Sequence, residues 1–320
     1  MMRAFVHLVI LLLANTLQAR TITVKAGTSL ATALAVTAAG DTITVKAGTY
    51  REGTLTIAHP VVLLGEGWPL IDGGGKGDVL LIKADGVTVR GFVITGTAVS
   101  DINDNAGIKC VNAKNITISG NRVPQCFFGI HLSNVSHASI EGNTIYGDPA
   151  TPEGRRANGI HLWKCDHTTI THNAVTNHRD GIYFEFVTDS RVDHDTSAFN
   201  SRYGLHFMFS HRDSYTHDVF HGNGAGVAVM FTHDVTMTDN HFDHNRGASA
   251  YGLLLKEIND ARIERNTFSD NTVGLMLDGC NRTTVINNRF RGNGWAVRLF
   301  ASSTATAFEG NSFSGNTFDL

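Results

Sequence analysis

From Gly107 to the end of the chain, apolar residues alternate with polar ones inside short units, and each unit opens on a glycine. The glycine recurs at 107, 129, 159, 181, 204, 226, 252 and 274, and Ala296 takes the ninth place. The intervals are 22, 30, 22, 23, 22, 26, 22 and 22. Alternation with period two predicts strands, and a sustained period of this length predicts coils stacked into a solenoid. A polar column runs in step with the glycines: Asn121, Asn143, Asn173, Asp195, Asp218, Asn240, Asn266, Asn288 and Asn311. Its amides and carboxylates suit tight turns, where they bond backbone groups rung upon rung. Three residues before it lies an apolar column running from Ile118 to Phe308. Two residues after it lies another, which ends in Phe220, Phe242, Phe268, Phe290 and Phe313. These five are expected to stack as a ladder. The fold expected is therefore all-β: a single right-handed parallel β-helix with coils of about 22 residues, its hand following the rule for parallel crossovers.

The organisation follows from the same pattern. Residues 1–19 read as a signal peptide, with Arg3 in a positive n-region, an apolar stretch Ala4–Leu13 and a cut expected near Arg20. Residues 20–320 form the β-helix, with 20–100 as N-terminal cap and first coils and 101–320 as regular repeats. Strands are expected at Thr21–Val24, Thr42–Val45, Val61–Leu64, Val79–Ile82, Val87–Val89 and Val93–Ile94. Apolar residues at helical spacing within Ser29–Ala39 predict a short helix covering the open end of the stack. Asp72-Gly-Gly-Gly-Lys76 lacks the context of a phosphate loop and reads as a turn. The 30-residue unit inserts a loop near Gly147–Ala157 and the 26-residue unit one near Arg246–Ala250. Both fall just before the opening glycine and so project from one corner.

Composition narrows the function. Hydrophobic residues make up 42% and charged residues 17%, which suits a folded chain. The net charge of −3, without a long basic run, argues against nucleic acid as a partner. The four cysteines do not form a disulfide framework: Cys165 and Cys280 share a column five rungs apart, roughly 24 Å at the strand spacing. Cys110 faces the core, and a Cys110–Cys126 pair stays open.

Histidine is abundant, at 16 residues. After each opening glycine, the first and third residues are apolar and face inward, so the second and fourth face outward. The second-position column reads Lys109, His131, His161, Tyr183, His206, Ala228, Leu254, Met276 and Arg298. The fourth-position column reads Val111, Ser133, Trp163, Glu185, Met208, Met230, Lys256, Asp278 and Phe300. Two units also share Met-Phe-[Ser/Thr]-His, at Met208–His211 and Met230–His233, which a scaffold does not need. Thioether sulfur and imidazole nitrogen together suit Cu(I). Met208, Met230, His206, His211 and His233 are the candidate Cu(I) ligands, with the metal held transiently. His131, His161, Tyr183, Glu185 and Lys256 are further outer-face candidates.

The runs GIYFEF (181–186), RYGLHFMFSH (202–211), GVAVMFTHD (226–234), AYGLLLKEI (250–258) and GWAVRLF (294–300) resemble the NosD family, periplasmic β-helix proteins of nitrous oxide reductase maturation. The resemblance implies a periplasmic, non-enzymatic accessory protein. Its partners would be an ABC ATPase and permease (NosF and NosY), a copper chaperone lipoprotein (NosL) and apo nitrous oxide reductase. It would reach the membrane only through a partner. The cargo implied is copper, a sulfur species or both, delivered to the copper–sulfur centre. NosD proteins usually continue beyond the last motif here, so the resemblance also implies a truncated C-terminus. The rival reading is a polysaccharide lyase or epimerase of the β-helix class. Glu185 and Asp278 lie four rungs apart, about 19 Å, too far for a glycosidase pair. Tyr183 with His206 could supply acid and base for a lyase or epimerase. Asp193-His194-Asp195 is similar to an alginate epimerase signature without its proline, and Asp195 reads as a turn residue. A purely structural or adhesive β-helix is the third class.

Overall fold

The computed structural model describes residues 19–320. The signal peptide expected over residues 1–19 therefore lies outside the described residues, apart from Ala19. The rest is a parallel β-helix. Its strands form one 20-stranded and one 12-stranded sheet, and the strand pairings are parallel. Among the described residues, helix is limited to Leu30–Ala35 and one 3₁₀ turn, Glu153–Arg155, inside the first inserted loop.

The capping helix is shorter than the stretch expected. Ser29 caps it, its Oγ accepting from the Thr32 amide at 3.0 Å. The Glu52 carboxylate accepts from the Leu30 and Ala31 amides, so other free donors of the first turn find a partner. Leu30, Ala33 and Leu34 bury against the first coils. The helix stops at Val36 because the Asp41 carboxylate, paired with Arg20, accepts from the Ala38 amide at 2.9 Å and draws the chain into the next strand. Expected strands recur at Thr21–Val24, Asp41–Lys46, Val61–Glu66, Leu80–Ile82, Thr88–Arg90 and Val93–Thr95. The pattern missed Thr49–Tyr50, Leu55–Ile57 and Leu70–Asp72, whose two or three residues are too short to display alternation.

In the regular region each coil turns at residues in left-handed backbone conformation. One coil runs through the strand Tyr203–Met208, Phe209 (φ 50°), Arg212 (φ 59°), Ser214–Thr216, His217 (φ 57°), Val219–His221 and Gly222 (φ 60°). The opening glycine is required by close approach rather than by φ. A Cβ on Gly226 would lie 2.3 Å from the Gly252 carbonyl oxygen, and one on Gly129 would lie 2.5 Å from that of Gly159. Inside, the asparagine column forms a continuous ladder. The Asn121 amide donates to Asn143 Oδ1 at 2.9 Å and the Asn143 amide to Asn173 Oδ1 at 2.9 Å. A second ladder, not identified from the sequence, stands five residues on in the last six coils: Asn200, Asn223, Asn245, Asn271, Asn293 and Asn316. The phenylalanines stack as expected, with ring centroids 5.3, 4.7, 4.8 and 5.2 Å apart from Phe220 to Phe313.

All four cysteines are buried and unpaired, and this closes the Cys110–Cys126 alternative. Burial pushes the Cys110, Cys126 and Cys165 thiols up to about 12, so they act as small apolar side chains.

Candidate functional site

The outer face of the 20-stranded sheet carries the candidate residues, and its register is the one the sequence implied. Lys109 stands opposite His131, His131 opposite His161, His161 opposite Tyr183, Tyr183 opposite His206, and His206 opposite Ala228. The neighbouring row runs Trp163, Glu185, Met208, Met230, Lys256 and Asp278. Met208 and Met230 are thus on adjacent rungs, side by side, each half-buried.

The two rows differ in exposure. The histidines of the second-position row are not open to solvent. His131 is 5%, His161 9% and His206 1% exposed. These positions alternate with the core residues, yet the exposure expected of an outer-face column is absent at the histidines. Rings from the first residues of two strands, Phe128 and Tyr203, fold over the row. Phe128 stacks on His131 at 5.4 Å, and Tyr203 lies 4.7 Å from His206. Together with the His131–His161, His161–Tyr183 and Tyr183–His206 contacts, all within 4.8 Å, they form one aromatic column. Beside it Asp180 is fully buried, its Oδ2 3.8 Å from His206 Nδ1, from Arg179 and from Arg202. Neither oxygen of Asp180 nor either ring nitrogen of His206 has a hydrogen-bond partner among the described residues. Burial, reinforced by the charge of Lys109, pushes His131 down to about 4. Burial also holds His161 well below the ordinary histidine value. Both are neutral imidazoles at neutral pH. Tyr183 is pushed up to about 12, first by burial and then by Glu185 and Asp180, so it holds its proton.

The five candidate copper ligands consequently fall into three groups. The methionines form a pair of thioethers on one face. His211 and His233 stack at 4.0 Å between centroids, beyond the corner held by Phe209 and Phe231. His206 is sealed from solvent. The corner phenylalanines, with Phe186, are themselves exposed and stacked at 5.3 and 5.2 Å. Burial and the nearby charges of His233 and Arg212 lower the His211 pKa, which leaves a nitrogen lone pair free to ligate. Glu185 and Lys256 flank the methionine pair in the same row and place one charge of each sign at its ends. Towards the N-terminal end the face opens into a cleft of about 390 Å³, lined by Asp104, Lys109, Val111, His131, Ser133, His161, Trp163 and Glu185.

Asp195, in the Asp-His-Asp run, lies in the asparagine ladder and accepts from the Asn173 amide at 2.6 Å, so it is a turn residue as expected. Sequence reasoning missed two groups of histidines around a carboxylate, Asp193/His194/His217 and His221/Asp243/His244. In each, two members share a column on adjacent rungs, His194 with His217 and His221 with Asp243, and the third comes from a neighbouring column. The available signal was the density of histidine in residues 194–244.

Comparison with known proteins bears on the family and the fold. The family model described as "Periplasmic copper-binding protein (NosD)" matches residues 72–154 and 137–320. The chain is 30% identical over 282 residues to the "Probable ABC transporter binding protein NosD" of Stutzerimonas stutzeri, covering 83% of this chain and 64% of that protein. It is 31% identical over 131 residues to the protein of the same description in Pseudomonas aeruginosa, covering 40% of this chain and 30% of that one. Less than two thirds of either relative is therefore spanned. Among solved structures, similar folds include the catalytic unit of a GH87 α-1,3-glucanase from Streptomyces thermodiastaticus (TM-score 0.69, 15% identity, 93% of this chain and 64% of that one). The Streptococcus pneumoniae surface adhesin PfbA gives a TM-score of 0.67 at 11% identity over 87% of this chain and 85% of that one. The periplasmic alginate epimerase AlgG gives 0.61 at 12% identity over 85% and 77%. At these identities an enzyme and an adhesin share the architecture alone. The family match over most of the repeat region is what assigns the chain: it belongs to the NosD family.

Proposed function

We propose that this protein is a periplasmic copper-handling factor that works beside an ABC-type ATPase and permease (NosF and NosY) in assembling the copper–sulfur centre of nitrous oxide reductase. The observation that carries the reading is the Met208–Met230 pair, in register on adjacent rungs of an outward face. Two thioethers select a soft monovalent ion over hard cations. They also leave coordination positions free on the open side. A site completed by a ligand from the neighbouring protein suits an ion received from a chaperone such as NosL and passed to the apo-reductase. His211 and His233 form an adjacent imidazole pair that could take part in this transfer. A sulfur species as second cargo goes with the same maturation role.

The test is complementation in a denitrifying host lacking its own copy. The wild-type chain is expected to restore the copper–sulfur centre of the reductase, read by its copper content and its absorption. Met208→Leu/Met230→Leu, accumulating to the same level, is expected not to. Full maturation by the double variant would refute the role of the pair.

A second reading, a polysaccharide lyase or epimerase, rests on the cleft beside Trp163, where a sugar ring could stack, with His161 at its wall and Tyr183 against the His161 ring. Against it, Tyr183 holds its proton firmly and His206 is closed off. Turnover of oligo-alginate or pectin, abolished by Tyr183→Phe, would favour this reading over copper handling.

A further inference from the structure

We infer that His221, His241, Asp243 and His244 form a second metal site, built of nitrogen and oxygen donors, for a divalent first-row cation of the Cu(II) or Zn(II) type. His221 stands directly opposite Asp243 in the 12-stranded sheet, and His241 lies two residues before Asp243 on the same strand. The residues between, Phe220 and Phe242, fill the core, so all three side chains project outward from rigid strands. His244 follows at the corner, held in left-handed conformation (φ 53°). The Nδ1 atoms of His221 and His244 each lie 2.8 Å from the same oxygen, Asp243 Oδ2, and His241 Nε2 lies 3.8 Å from Oδ1. A cation with bonds of about 2.0–2.2 Å to these donors needs them roughly 3.3 Å apart, a small opening of the cluster. Each of the two Nδ1-bonded imidazoles then carries its proton on Nε2. The Phe199 ring meets His221 edge-on at 5.1 Å and lies over Gly222, giving the cluster an apolar wall.

Charge separates this cluster from the superficially similar one around Asp193. There the carboxylate already pairs with Arg191 at 2.9 Å and accepts from Thr216 at 2.5 Å. Among the described residues, the ion-pair partners of Asp243 are histidines alone, so no fixed cation competes for its charge. Imidazole with carboxylate favours borderline divalent ions, whereas the thioether pair favours Cu(I), and the two sites lie on different sheets. The inference therefore stands independently of the methionine site.

The test is titration of the full metal-free chain with Cu(II) and, separately, Zn(II), each against a competing chelator. Cu(II) coordination is followed by electron paramagnetic resonance. Wild type is expected to take up a tightly held equivalent of at least one of the two ions, with nitrogen hyperfine structure in the Cu(II) spectrum. Asp243→Asn and, separately, His244→Asn are expected to weaken that equivalent at least tenfold. Asparagine tolerates the left-handed corner, and an unchanged circular dichroism spectrum and unfolding midpoint verify the fold. Met208→Leu/Met230→Leu is expected to keep the equivalent. Failure of wild type to bind either ion would overturn the site, as would equal affinity in both variants or a Cu(II) spectrum without nitrogen coupling. A failure of the methionine site would appear only with Cu(I).

Discussion

The column of Asn240 and the column of His211 are ladders of the same pitch, one turned to the core and one to the outside. The inner ladder keeps one chemistry for nine rungs, from Asn121 to Asn311, with aspartate only at 195 and 218. The outer rows change within two or three rungs. His211 stacks on His233, His172 on His194 and His194 on His217, and the same columns then carry other residues. Inside, every rung must satisfy the same buried backbone groups and fill the same space, so packing dictates the residue. Outside, stacking supplies a spacing and no more, so a Met or His on consecutive rungs is free to serve chemistry. Substitutions inside should therefore cost stability and spare metal binding, and those outside should do the reverse.

The largest effects are expected inside. Gly226→Val places side-chain carbon against the Gly252 carbonyl, and should cost roughly 3 kcal/mol or more by denaturant unfolding. Phe242→Ala removes a ring stacked on both sides, at 5.3 and 4.7 Å. It should cost about 3–5 kcal/mol while leaving any metal stoichiometry of the folded protein intact. A smaller effect, and one of opposite sign, is expected where aspartate interrupts the asparagine ladder. Asparagine there donates to a carbonyl, as Asn240 Nδ2 does to Tyr215, and an ionised carboxylate cannot. Burial accordingly pushes Asp195 up to about 7 and Asp218 well above its ordinary value. Folded pKa values above the unfolded ones mean that the fold holds extra protons. The stabilising contribution of Asp195 is present below about pH 4 and is lost as pH rises through about 7, and that of Asp218 is likewise present at acid pH and lost as pH rises through its raised folded value. Asp195→Asn/Asp218→Asn should therefore unfold at a higher temperature than wild type at pH 8, with the gap closing towards pH 4. The smallest effect on stability is expected at the surface: His233→Ala should fall within about 0.5 kcal/mol of wild type by the same unfolding measurement.

The same division explains what the sequence revealed. Gly107 through Gly274, the first asparagine ladder and Phe220–Phe313 were legible because one packing requirement recurs at each rung. Their register, carried across to the outside, placed Met208 beside Met230 and His211 beside His233. The second asparagine ladder repeats at the same interval over six rungs, from Asn200 to Asn316, and is legible in the same way. The burial of His206 was not legible. It depends on the ring of Tyr203, at the start of the same strand, lying against His206, a contact between columns that period-two alternation does not encode. In the cluster around Asp243, His221 stands in the same column on the adjacent rung, but His244 joins from the corner, and that contact is likewise not encoded by alternation.

The most direct test is the Cu(I) affinity of the purified chain, measured without oxygen by competition with a chromogenic chelator. Met208→Leu/Met230→Leu keeps apolar volume and so should leave the unfolding transition close to that of wild type. The pair of thioethers predicts at least a tenfold loss of Cu(I) affinity in this variant. Equal affinity in the two proteins would contradict the assignment of the methionine pair as the copper site.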